Sequence, residues 1–191
     1  MNQERSERAT APVSLASVQI DVTTRLGAPS PVTTTGFPSL DQLLGGGLRP
    51  GVLVTVLSPP GMGRSTLALF IAYMAARSRA SALLSGVGLD DTEVMARLAA
   101  RALHRECPDM ATAYGAIWSG QALSQPEVRA PVLGAVETVS RKVGSNLHLR
   151  RAGSLEATGL LAECAAELWS RYERVVLVVD DSRSVLRELG R

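Results

Sequence analysis

From Val52 to Leu57 the chain reads "VLVTVL", six apolar or β-branched residues in a row behind Arg49-Pro50-Gly51. A continuous run of this length fits a strand buried on both faces of a parallel sheet. The period then changes: Ser65 to Arg77 reads as a helix, and "SALLSGV" from Ser81 as a second strand. Asp90 to His104 places Val94, Met95, Leu98, Ala99 and Ala102 on one face of a second helix. After a loop with Pro108, Gly115 and Gly120, "SQPE" from Ser124 to Glu127 reads as a capping box opening a third helix. Its inward face would be Val128, Val132, Ala135, Val136, Val139 and Val143. "NLHLR", Asn146 to Arg150, alternates like a short strand, and Ser154 caps a fourth helix carrying Ala157, Leu160, Leu161, Cys164, Ala165 and Leu168 at helical spacing. "RVVLVVDD", Arg174 to Asp181, closes the series as an apolar strand ending in acid. Strands alternating with helices predict an α/β fold, a mainly parallel sheet flanked by helices.

Residues 1–32 mix Ser, Thr, Pro and charge and read as a flexible arm, with "SVQIDVT", Ser17 to Thr23, as one strand candidate. Residues 33–191 then form a single domain. With 46% hydrophobic and 20% charged residues the composition is that of a globular protein. The net charge of +2 is spread along the chain, so no polybasic tail points to nucleic acid or a membrane surface. Lys142 is the single lysine, and such a bias can exchange lysine for arginine without functional meaning. Cys107 and Cys164 lack metal-ligand spacing and read as buried, reduced thiols. No apolar run is long enough to span a bilayer or to serve as a signal core, so a cytoplasmic location is expected.

Chemistry concentrates at "LSPPGMGRST", Leu57 to Thr66. A strand, a glycine-rich turn and a helix start would aim backbone N–H groups and a helix dipole at one point, which is how a phosphate is held. Against the pattern G-x-x-x-x-G-K-[ST], Gly63 and Ser65 match, while Ser58 stands at the first glycine and Arg64 at the lysine. Asp180, at the end of the last apolar strand, stands where a Walker B carboxylate reaches magnesium through water. The expected cofactors are ATP and Mg2+. The loop Ser58, Pro59, Pro60, Gly61, Met62, Gly63, Arg64, Ser65 and Thr66 would hold the nucleotide, and Ser65 and Asp180 the metal. No catalytic residue is assigned.

The stretch Thr33 to Ala76, "TTTGFPSLDQLLGGGLRPGVLVTVLSPPGMGRSTLALFIAYMAA", resembles the opening of the RecA-like ATPase domain of DnaB-type replicative helicases, and the KaiC and RadA branches of that superfamily look similar. "ALLSGVGLDDTEVMARLAA" follows the shape of the DnaB family's second strand and "S-L-E-M" stretch. "SGQALSQPEV", "NLHLRRAGSLEA" and "VVLVVDD" fall in the expected order. The resemblance implies a nucleotide-dependent ATPase fold and assembly into oligomers, and it is the sole pointer to DNA.

Three departures qualify it. Arg64 keeps the charge of the phosphate lysine but carries a bulkier planar fork. Gly88 falls at the glutamate that this family uses to polarise water, leaving Asp90 and Asp91 as substitutes two and three residues on. The sequence ends ten residues after Asp181, where the helicases continue with further strands, one of which inserts between the P-loop strand and the Walker B strand. The two are therefore expected to pair directly, unless "SVQIDVT" or a partner chain fills the slot.

Of the remaining residues, His104 and His148 read as structural, and Trp118, Trp169, Tyr114 and Tyr172 as scattered packing or rim positions. Arg141, Lys142, Arg150 and Arg151 form a modest basic grouping, a solvated face or a phosphate or DNA contact. Gly45 to Gly47 serve the turn before the first strand. Three functions fit: a hydrolysis-impaired ATP-binding regulatory or assembly component; a slow ATPase or helicase component completed by another chain; and a nucleotide-free interaction or oligomerisation protein. Each allows a protein partner or a second copy, and none involves a membrane.

Overall fold

The structure, a computed structural model, describes residues 31–87, 90–110, 112–152 and 157–180. The chain divides into two units, Met1–Val32 and Thr33–Arg191, and the helices and strands described below belong to the second. The arm, Gly88, Ser154 and Asp181 lie outside the described residues. In order come α1 (Pro38–Leu43), α2 (Arg64–Arg77), β1 (Ser81–Val87), α3 (Asp91–Glu106), α4 (Tyr114–Trp118), α5 (Pro126–Val143), β2 (Leu147–Ala152), α6 (Ala157–Arg171) and β3 (Val175–Asp180). The strands form one parallel sheet in the order β2-β1-β3. Ala82 pairs with Leu147 on one side of β1, and Ser81 with Val175 on the other. The expected α/β architecture, a parallel sheet flanked by helices, is the one observed.

Strand alternation divides the core. Ala82 and Leu84 point into a large cluster with α2, α3 and α5, whereas Leu83 packs with Leu168, Cys164, Tyr172 and Val175 on the opposite face. The expected inward positions Val94, Leu98, Ala99 and Ala102 of α3, and Val132, Ala135, Val139 and Val143 of α5, are buried. Met95, Val128 and Val136 are partly buried against the same core. α2 meets the sheet through Ala72, Ala75 and Ala76, whose small side chains are all but inaccessible and let helix and strands approach closely.

α2 ends in a Schellman motif. The Ala80 N–H donates to the Ala75 carbonyl at 3.1 Å and the Arg79 N–H to the Ala76 carbonyl at 3.1 Å. Arg79 takes the left-handed position, φ 64°, which glycine fills more easily. The strand-starting residues fasten the same corner: Arg174 donates to the Ser78 carbonyl at 2.8 Å and Asn146 to the Ala76 carbonyl at 3.3 Å.

The capping box is a correction. Pro126 occupies the first turn of α5, Gln125 is the N-cap, and no side chain caps it. Ser124 instead closes a short 3-10 turn, its hydroxyl donating to the Gln121 carbonyl at 2.7 Å. Cys107 is exposed and Cys164 half-buried, so the pair does not form buried thiols.

The larger correction concerns Val52 to Leu57. The segment forms no strand, and it pairs neither with β3 nor with any other described strand. Leu53 is 90% exposed and Leu57 85%. A six-residue apolar run is stable as a central strand only with neighbours on its edges, and among the described residues the outer edge of β3 is unpaired. The expected direct pairing of these two segments therefore does not occur.

Residues ahead of that segment are organised by one carboxylate. Asp41 accepts from the Thr35 N–H at 2.8 Å, from the Thr35 hydroxyl at 2.6 Å and from the Thr34 hydroxyl. Burial alone would raise its pKa, but the Thr34 and Thr35 hydrogen bonds outweigh burial and hold the carboxyl below its usual 3.8.

Leu84→Ala, at a 2% exposed site, should cost about 2–5 kcal/mol in urea unfolding, while Leu53→Ala should stay within roughly 0.5 kcal/mol; equal losses would mean that Val52 to Leu57 is buried after all. For Asp41, the native carboxyl ionises at lower pH than the unfolded one, so its stabilisation is complete above about pH 4 and disappears as pH falls through the native value. The Tm gap between the wild type and Asp41→Asn should accordingly close on acidification, and a gap constant down to about pH 2 would contradict this.

Candidate functional site

Gly61 and Gly63, at φ 80° and 82°, turn the chain from Pro60 into α2. Added side chains would meet no neighbour at either position, so it is the left-handed backbone that calls for glycine. Gly63 is the N-cap and offers no side-chain acceptor. The Leu67 N–H makes the first helical bond, to the Gly63 carbonyl at 2.9 Å. The N–H groups from Gly63 to Thr66 are thus left without intrahelical partners, at the positive end of a 14-residue helix. Ser58 is half-buried, and Pro59, Pro60, Gly61, Met62, Gly63, Arg64, Ser65 and Thr66 are exposed. The loop presents an open set of donors, and no side chain fills it.

Arg64 turns back across this loop, its Nη1 donating to the Ser58 carbonyl at 3.3 Å. That is a long, exposed bond which an incoming anion can replace. Asp180 ends β3 in register with Gly86. Because α2 runs straight into β1 through the Ser78–Ala80 corner, its C-terminus lies at the start of the strands. At roughly 20 Å, α2 is about as long as the strands, and Asp180 stands at the end of β3. The open N–H groups and the Ser65 hydroxyl at the start of α2 are donors of the kind a phosphate needs.

A second group, absent from the sequence-based site, borders Thr66. Arg97 of α3 donates to the Thr66 hydroxyl at 3.3 Å and is held by Glu93 through two bonds of 2.6 and 3.0 Å. Its guanidinium lies 4.1 Å from the Tyr114 ring centroid. Trp118, on the same short helix α4 as Tyr114, donates its indole N–H to Asp90 at 3.0 Å. Tyr114 and Trp118 are therefore gathered beside the loop-bearing helix rather than scattered. The one sequence signal was the Glu93/Arg97 pair at helical i,i+4 spacing.

Of Asp90 and Asp91, the two carboxylates that could replace the missing glutamate, Asp90 is engaged. Asp90 caps α3, accepting from the Thr92 N–H at 2.9 Å as well as from Trp118. The Trp118 bond first, then the Thr92 backbone bond, hold its carboxyl below 3.8, the direction opposite to that of a general base. Glu93 is bound to Arg97.

Elsewhere, His148 packs edge-on against Tyr172, and burial first, then Arg171, lowers its pKa despite Glu167. The basic grouping separates: Lys142 pairs with Glu106 of α3, while Arg150 donates to Cys164 Sγ on the α6 face. No helix among the described residues is long and apolar enough to cross a membrane.

No family model matches the sequence. The chain is 45% identical over 53 residues to the DNA repair protein RadA of Aquifex aeolicus, covering 28% of this chain and 12% of that protein. It is 40% identical over 76 residues to RadA of Mycobacterium tuberculosis, covering 40% of this chain and 15% of that protein. With the DNA repair and recombination protein RadB of Thermococcus kodakarensis, identity is 58% over 36 residues, 19% of this chain and 16% of RadB. The chain thus spans less than a fifth of each relative's length. Among solved structures, a DnaB-like replicative helicase, described with its interactions with primase, superposes with a TM-score of 0.65 at 15% identity, over 89% of this chain and 39% of that one. The resemblance to RecA-like P-loop ATPases therefore holds in both sequence and architecture.

Trp118→Phe removes the strongest donor to Asp90. The Asp90 pKa, followed by carboxyl NMR titration, should rise toward 3.8, and an unchanged value would show that the indole bond does not set it.

Proposed function

We propose that this chain is a RecA-like nucleotide-binding protein that holds ATP with magnesium but is impaired in hydrolysis, and that it acts as a regulatory or assembly component. The observation that carries the reading is the open helix start: left-handed Gly61 and Gly63 lead into four backbone N–H groups that no side chain caps. The loop from Ser58 to Thr66 would surround the phosphates, with Ser65 and Asp180 holding the ion. Bound magnesium would neutralise phosphate charge, and the chain's own groups would bind and orient the nucleotide. Arg64 would exchange its Ser58 contact for a phosphate oxygen, and Arg97, one helix away, adds a second cation beside Thr66.

The reading of impaired hydrolysis rests on Gly88 at the place of the glutamate, on the engagement of Asp90, and on the replacement of the phosphate lysine by Arg64. Losing one well-placed transition-state group costs about two to three decades in rate. A second reading draws on the edge of β3 that is unpaired among the described residues: another chain completes the sheet and the site, and hydrolysis is slow. DNA enters through RadA and RadB, and the DnaB-like helicase, with its primase, adds a protein partner to the second reading.

The test is the melting temperature with and without millimolar Mg-ATP. A ligand at 100 times its Kd stabilises the folded state by about 2.7 kcal/mol, roughly 5–10 °C for a domain of this size. The rise should vanish in Asp180→Ala and in Ser65→Ala; no rise in the wild type would reject nucleotide binding. Phosphate release should stay far below about 1 s⁻¹, the low end of ordinary turnover, and faster release abolished by Asp180→Ala would overturn the impaired reading.

A further inference from the structure

At the far end of α2 from the nucleotide loop, three helices converge on a cavity of about 210 Å³. α2 contributes Tyr73 and Arg77, α3 contributes Arg101, Arg105 and Glu106, and α5 contributes Lys142. Four cations thus face one carboxylate, and Glu106 is already spoken for, lying 2.6 Å from Lys142 Nζ. Among the described residues no carboxylate pairs with Arg77, Arg101 or Arg105.

Arg101 is the inner wall. Its guanidinium lies 4.6 Å from the Phe70 ring centroid and 5.1 Å from that of Tyr73, so aromatic groups hold it in place. Burial first lowers its pKa, Tyr73 acts against this, and neighbouring Arg105 and Arg77 lower it further. Arginine stays ionised regardless, so the crowding is a standing electrostatic cost that a bound anion would relieve. Guanidinium groups present planar pairs of N–H donors matched to phosphate oxygens. The volume lies below the roughly 300–1,000 Å³ of sites for drug-sized ligands, which favours a compact anion over a whole nucleotide.

We propose that this cavity is a second anion site, specific for consecutive phosphate groups, at the opposite end of α2 from the nucleotide loop. Arg101 forms its floor and Arg77 and Arg105 its rim. The two sites lie roughly 20 Å apart along one helix, too far for a single short oligophosphate to occupy both. The same chemistry is offered by a free oligophosphate and by the backbone of a nucleic acid strand.

The probe is magnesium-free inorganic tripolyphosphate, titrated calorimetrically into the full chain at constant ionic strength. Arg77 and Arg105 are exposed, so Arg77→Gln/Arg105→Gln should fold, whereas Arg101→Gln removes a packed side chain and serves as a secondary variant. Affinity should fall at least about tenfold in the double variant and persist in Arg64→Ala, whose lesion is in the nucleotide loop. Displacement of tripolyphosphate by a short oligothymidylate would assign the site to a nucleic acid backbone; failure to displace it would assign the site to free oligophosphate. The proposal is overturned by absence of binding, by affinity lost in Arg64→Ala but kept in the double variant, or by a double variant that melts lower yet binds equally. In that last case the cations serve only the C-terminal ends of their helices.

Discussion

Everything at the candidate site depends on the corner where α2 turns into β1. The Schellman bonds close the helix, Arg79 takes the left-handed position, and Arg174 and Asn146 tie the corner to the starts of the two neighbouring strands. Fixed there and seated on the sheet through its alanines, α2 has little freedom to slide or rotate. Its opposite end, with the uncapped N–H groups, is therefore aimed by contacts a full helix length away. A glycine-rich loop needs such support, because left-handed glycines set its shape but add no packing of their own.

The same helix has opposite electrical character at its two ends. Its N-terminus carries open donors and favours an anion, with Arg64 and Arg97 close by. Its C-terminus, where the dipole favours cations, is surrounded by arginines from α2 and α3 and by Lys142 from α5. α3 joins the two regions: Asp90 and Glu93 at its start organise the surroundings of Thr66, and Arg101 and Arg105 near its end line the cavity. α2 and α3 are thus two rigid elements leading away from the glycine-rich loop.

What could be read from the sequence was what a single element decides by itself. β1, β3 and the buried faces of α3 and α5 follow from periodicity, because side-chain spacing and burial have the same origin. The loop and its helix were legible because glycine at Gly61 and Gly63 reports a backbone angle directly. Pairing was not legible: nothing inside Val52 to Leu57 records whether a neighbour is present. "SQPE" failed because Pro126 can start a helix unaided, which leaves the Ser124 hydroxyl to close the preceding turn. The Arg77, Arg101, Arg105 and Lys142 cluster and the Arg97, Tyr114 and Thr66 group draw on residues far apart in the chain. Only the packing of α2, α4 and α5 around α3 brings them together.

The exposed segment ahead of the loop has a consequence of a different kind. Val52 to Leu57 holds six uncharged residues, four of them β-branched, with no proline, and its backbone donors and acceptors lack ladder partners among the described residues. That composition is the signature of segments that stack into dry, interdigitated sheets between chains. β3 adds an edge that is open among the described residues, and the exposed side chains Leu177 and Val179. Among the described residues nothing along Val52 to Leu57 opposes such association, neither an inward-pointing charge nor a bulge. The residues that lead into the glycine-rich loop thus also carry the composition of an association-prone segment.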